Sequence, residues 1–191
     1  MCGVFCNGYA YSMAKGILGD NVTDVFPENL KEQLFLNAGI QGCSLMFTKA
    51  AREQLGKIPK VVAMHDHFIT LGIIAFGRLD YLNKNLMLYR QFHENKATSN
   101  IQFNKWKRLK SVFISEIPVV DRKHWEATEC FFELYKHELK PEAQKLFLAY
   151  LSFGKSSSLI EKMGIILKNG FSIYGKVWAL PLKVLLRKSI N

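Results

Sequence analysis

Midway along the chain the spacing of apolar residues changes, and this change constrains the fold more than any other feature. Up to about residue 96 apolar residues come in strand-length runs cut by Gly, Asn and Pro, as in CGVFC (2–6), GCSLMF (42–47) and NLMLYRQ (85–91). Beyond it they recur at i, i+3 and i+4, as in Ala143, Leu146, Phe147, Tyr150 and Leu151. Short runs followed by a 3.6-residue period predict an α/β region leading into a helical one. The expected divisions are an α/β part over 1–96, a helical extension over 97–155 and a basic amphipathic tail over 156–191.

Local signals place the elements. Pro27 predicts a helix start and Gly39 its end. GCSLMF reads as a buried strand, Thr48 as the cap of a short helix that Gly56 closes, and Asp66 as the N-cap of an apolar helix. GRLDYL and NLMLYRQ, around Asn83-Lys84-Asn85, read as two strands or one bent ribbon. Ser99 is expected to cap a helix with Trp106, Leu109 and Phe113 on one face. A second helix follows Asp121, and Pro141 opens a third. Pro181 should kink or end any helix in the tail.

Composition narrows the class. Hydrophobic residues make up 49% and aromatics 13%, enough for a packed core and too many for a disordered chain. The 26 Lys and Arg against 16 Asp and Glu leave a formal charge of +10, which favours a polyanionic neighbour. No helix-turn-helix, zinc-finger spacing or RNA-binding aromatic motif accompanies that charge, so nucleic acid is not the expected partner. The cysteines, Cys2, Cys6, Cys43 and Cys130, form no CxxC pair, and no signal-peptide pattern is present. Reduced thiols in the cytoplasm are the expectation. The longest uncharged apolar run, Phe68 to Gly77, is too short to span a bilayer. The tail after Glu161 carries Tyr174 and Trp178 among lysines and arginine and reads either as a packed segment or as one lying on an anionic membrane.

Three ordered motifs carry chemistry: NAGIQGCSLMFTK (37–49), MHDHF (64–68) and LDYLNKNLMLYRQFHEN (79–95). Their order and spacing resemble the C-terminal half of family 2 glycosyltransferases of the GT-A type, particularly bacterial polysaccharide rhamnosyltransferases. That family shows a Gly-Cys strand, a His/Glu-Asp pair and a Tyr-Arg-Gln-His-Gly-x-Asn run. Phe92 stands here where the family has His. The resemblance implies a partial GT-A-like fold, an incomplete Rossmann-like sheet whose N-terminal nucleotide-binding half is missing.

It further implies inverting transfer of a sugar from a nucleotide-sugar donor to a saccharide or lipid-linked acceptor, in polysaccharide or lipopolysaccharide synthesis on the inner face of the cell membrane. Asp66 takes the place of the catalytic base. His65, Arg90, Gln91 and Gly42 take substrate-binding places, and Asn95 matches the family's asparagine. A hydroxyl is a weak nucleophile, so a carboxylate must take its proton as it attacks. A helix N-terminus favours the negative charge that such a base needs. As a planar fork of donors, Arg90 suits a diphosphate or an acceptor oxygen.

The intact family needs Mg or Mn on an Asp-x-Asp motif. Among Asp20, Asp24, Asp66, Asp80 and Asp121 no two are adjacent or one residue apart. The chain alone is therefore expected not to transfer sugar, and a central strand opening it is expected to expose a sheet edge. An independent metal site from His65, His67 and His93, on one face of extended backbone, is a minor reading. The alternative function is a basic membrane-associated or partner-binding module without chemistry.

Overall fold

The computed structural model describes residues 1–23, 26–36, 40–90, 118–187 and 190. Gln91, His93, Asn95 and the helix expected after Ser99 lie outside them. The chain is an α/β protein. Its strands are β1 (Cys2–Ser12), β2 (Gly16–Gly19), β3 (Leu45–Phe47) and β4 (Arg78–Arg90). β1 is the central strand, as its apolar opening run predicts. Parallel β4 covers one side of it from Cys2↔Arg78 to Tyr11↔Arg90. Two short antiparallel strands share the other side, β3 against Gly3–Phe5 and β2 against Ala10–Ser12. The chain therefore does not open on an unflanked strand. The edges without a strand partner among the described residues are the outer edges of β4, β2 and β3, each of which pairs only with β1.

The NKN segment bends β4 without dividing it. Pairing jumps from Cys6↔Leu82 to Asn7↔Asn85 and then to Gly8↔Met87, so β4 bulges where the two strands lose register. Asn7 holds this irregularity. Its buried side chain accepts from the backbone N–H of Val22 at 2.9 Å and of Gly8 at 3.0 Å, and donates to the Thr23 carbonyl at 2.7 Å.

The helices are α1 (Leu30–Gln33), α2 (Lys49–Leu55), α3 (His65–Phe76), α4 (Arg122–Tyr135), α5 (Pro141–Lys155), α6 (Leu159–Asn169) and α7 (Ala179–Leu186). Three starts follow the sequence signals: Thr48 caps α2, Asp121 caps α4 and Pro141 opens α5. Gly56 closes α2 with φ +55°. Other signals mislead. The cap of α1 is Asn29, whose side chain accepts from Glu32 N–H at 3.2 Å, so Pro27 stays outside and the helix is short. Pro181 falls in the first turn of α7, where no intrahelical donor is needed, and the helix continues through it. The GCSLMF run is a 3₁₀ turn over Gly42–Ser44 followed by a three-residue strand with Met46 and Phe47 exposed. Ser44 fixes that turn by donating Oγ–H to the Gln41 carbonyl at 2.9 Å.

α3 lies between two clusters. Ile73 packs with Phe5, Ile40, Leu45 and Leu79 under the sheet. Phe68, Leu71 and Ala75 face the larger helical core, which includes Phe131, Phe147, Phe171 and Leu180. Residues from before 97, from 118–155 and from the tail all contribute to that larger core. At its centre Phe35 meets Tyr150, Phe153 and Phe171 with ring centroids 5.3, 5.1 and 4.9 Å away.

Candidate functional site

Asp66 stands in the first turn of α3, and the N-cap is Met64. The sequence reading of Asp66 as the cap is corrected by two residues. Its side chain still serves the helix start, since Oδ1 accepts the backbone N–H of His67 at 2.8 Å. Asp66 is half-buried, and no hydrogen-bond partner for its other oxygen is seen among the described residues.

Gly42 lies directly opposite. A Cβ there would come within 3.4 Å of His65 Nε2 and 3.5 Å of Asp66 Cβ. The 3₁₀ turn and the start of α3 are thus within van der Waals reach of each other, with room for a methyl group at Gly42. Sequence reading had placed Gly42, His65 and Asp66 together, and the structure brings them together.

The same turn carries Cys43, whose Sγ donates to Met87 Sδ at 3.7 Å. Met87 belongs to β4 and reaches Cys43 by lying across β1 at Gly8. A Cβ on Gly8 would sit 2.7 Å from Met87 Cγ and 2.9 Å from the Met87 carbonyl oxygen. Tyr89 follows on the same face of β4. Partial burial pushes the Cys43 thiol up, with the Asp66 and Cys6 charges adding. Partial burial likewise pushes the Tyr89 phenol up, with Cys43 and Asp66 adding. Both groups therefore stay protonated at neutral pH and present hydrogen-bond donors near a carboxylate.

Behind Asp66 is a polar cluster that sequence reading missed. His67 is 2% exposed and meets the His124 ring edge to face, centroids 4.8 Å apart. His124 Nδ1 lies 3.5 Å from Asp121 Oδ1, while its buried Nε2 has no partner among the described residues. Burial, with a smaller contribution from His124, lowers His67 to about 3. His124 is also lowered by burial, with Asp121 opposing. Two neutral imidazoles thus back the carboxylate. Only the i, i+3 spacing of Asp121 and His124 was available in the sequence to suggest any of this.

Two expectations find no place at this site. Alternation along β4 turns exposed Arg90 to the face opposite Met87 and Tyr89, and Gln91 lies outside the described residues. The His65, His67 and His93 metal reading assumed extended backbone. The segment is helical, so His65 is exposed while His67 points into the core. Among the described residues no group of three or more His, Cys, Asp or Glu is arranged to hold a metal ion. The described residues therefore offer no ready site for the divalent cation that the resemblance implies. A groove of about 510 Å³ between α5 and α6, lined by Lys145, Ser152, Glu161 and Lys168 among others, includes none of the Asp66 cluster.

No family model matches the chain, and comparison with curated proteins and with solved structures finds no similar protein.

Proposed function

We propose that the chain is the acceptor-binding half of a GT-A-like glycosyltransferase, with Asp66 as the base that takes the acceptor proton. The observation that carries this reading is the closure of the Gly42 turn on Asp66, which puts a half-buried carboxylate beside the Cys43 thiol, the Met87 thioether and the Tyr89 phenol. An apolar floor with a few polar edges suits one face of a pyranose ring. In the reaction the acceptor hydroxyl donates to Asp66 and loses its proton there as its oxygen bonds the anomeric carbon. The bond from that carbon to the nucleoside diphosphate breaks, and the diphosphate leaves with its electron pair. The nucleotide-sugar donor and the divalent cation of the intact family are held by residues other than those of this cluster. The sequence holds no Asp-x-Asp pair, which favours acceptor binding without turnover by this chain alone.

Titrating ¹⁵N-labelled protein with a panel of polysaccharide-repeat and lipid-linked oligosaccharides tests the reading. A binding saccharide should perturb the amides of Gly42, Cys43, His67 and Tyr89, and Asp66→Asn should weaken it about tenfold, the size of a lost charge-assisted hydrogen bond. Saccharides that perturb none of these amides would remove the basis for the proposal. Turnover of nucleotide sugars by the isolated chain would show that it is more than an acceptor-binding half.

A further inference from the structure

The solvent side of α7 is as apolar as its buried side. Leu180 and Val184 are buried at 0% and 3% exposure, while Trp178, Leu182 and Leu185 are 61%, 38% and 57% exposed. The exposed three are spaced i, i+4 and i+7 and so form one stripe along the helix. A helix that is apolar all round is ordinarily covered on every side. Tyr174 and Val177, 51% and 61% exposed, extend the stripe into the turn that precedes α7.

That turn is held in place rather than loose. Tyr174 has φ +56°, the only positive φ among the described non-glycine residues, and Gly175 follows at +67°. A bulky residue in the left-handed region is strained and persists only where its surroundings fix it. Buried Glu32 does the fixing: its Oε1 accepts the Gly175 N–H at 3.0 Å and the Ser172 hydroxyl at 3.3 Å. The fold thus holds the Tyr174 ring outward against a local conformational cost.

The sequence that carries the patch has charge of one sign. After Glu161 no acidic side chain follows, while Lys168, Lys176, Arg187 and Lys188 do. Lys176 Nζ sits 5.6 Å above the Trp178 ring. Lys183 turns inward and donates to the Val119 carbonyl at 3.1 Å, so its ammonium does not interrupt the outer stripe. Tyr and Trp at the level of lipid headgroups, leucines below them and cations beside them are the complement of an anionic leaflet. Among the described residues no helix is long and apolar enough to cross a membrane, so the contact would be with its surface.

We infer that Tyr174, Val177, Trp178, Leu182 and Leu185, flanked by Lys176, form a docking surface for an anionic lipid bilayer. The inference is independent of the role given to Asp66. The test is co-sedimentation of the full chain with vesicles of phosphatidylcholine alone and with phosphatidylglycerol added. The chain should partition onto the anionic vesicles and be released by salt. The Trp178→Ser, Leu182→Ser, Leu185→Ser variant should partition about tenfold less, with circular dichroism unchanged because all three side chains face solvent. Lys176→Glu should reduce binding to anionic vesicles. The inference is overturned if the wild type does not sediment with anionic vesicles, or if the triple variant sediments as the wild type does. It is also overturned if light scattering shows a dimer that the triple substitution splits while lipid binding persists, since the stripe then seats a second copy.

Discussion

His67 shows how one buried side chain sets a response of the whole chain. Its folded value of about 3 lies below the ordinary 6.5. Between those limits the unfolded chain binds a proton that the folded chain refuses, so stability is lost as pH falls below about 6.5. The slope from this residue approaches about 1.4 kcal/mol per pH unit. Urea titrations at pH 7 and 5 should show it, and His67→Phe, which keeps an aromatic ring against His124, should flatten it. An equal slope in the variant would assign the acid sensitivity to other groups. At this scale the site was half legible. Asp66 and Gly42, which the structure sets side by side, could be picked out by the resemblance. His124 and Asp121 could not, because they meet His67 only through the packing of α4 on α3. Arg90 was misplaced for a simpler reason. A sequence run lists neighbours side by side, whereas a strand sends alternate ones to opposite faces.

Among the elements, those that could be read were decided by chemistry within one turn. Thr48 accepting from Ala51 N–H and Asp121 accepting from Lys123 N–H are contacts that need no tertiary context. The misread elements were decided by competition. Pro27 and Asn29 both offer a helix start, and the side-chain bond of Asn29 wins. GCSLMF has strand-like composition, yet Ser44 bonding back to Gln41 curls its first half. Around NKN the sequence left two strands or one bent ribbon open, and the pairing of β4 along the whole of β1 decides for one strand. Gly8→Ala should therefore disturb β1 and β4 together. The added methyl meets the Met87 backbone carbonyl as well as a flexible side chain, so a loss of about 1–3 kcal/mol is expected by urea unfolding. The Cys43 thiol should also react faster with a thiol reagent once Met87 is displaced. An unchanged midpoint and rate would show that the ribbon accommodates the methyl freely.

For the whole molecule, the change in hydrophobic period correctly announced an α/β part followed by helices. It did not announce that these parts share an interior. Phe35 follows α1 near the front of the chain, while the rings around it come from α5 and from the segment after α6. A chain ended after Lys155 would lose Phe171 and leave one side of Phe35 open to water. Such a fragment should bind a hydrophobic dye and aggregate, with a collapsed near-ultraviolet spectrum. A monomeric fragment with an intact spectrum would show that 1–155 folds by itself. The aromatic hub also bears on how the chain is made. Phe171 is made more than a hundred residues after Phe35, so a nascent chain carries an open interior until that segment has left the ribosome, and it needs shielding throughout that interval.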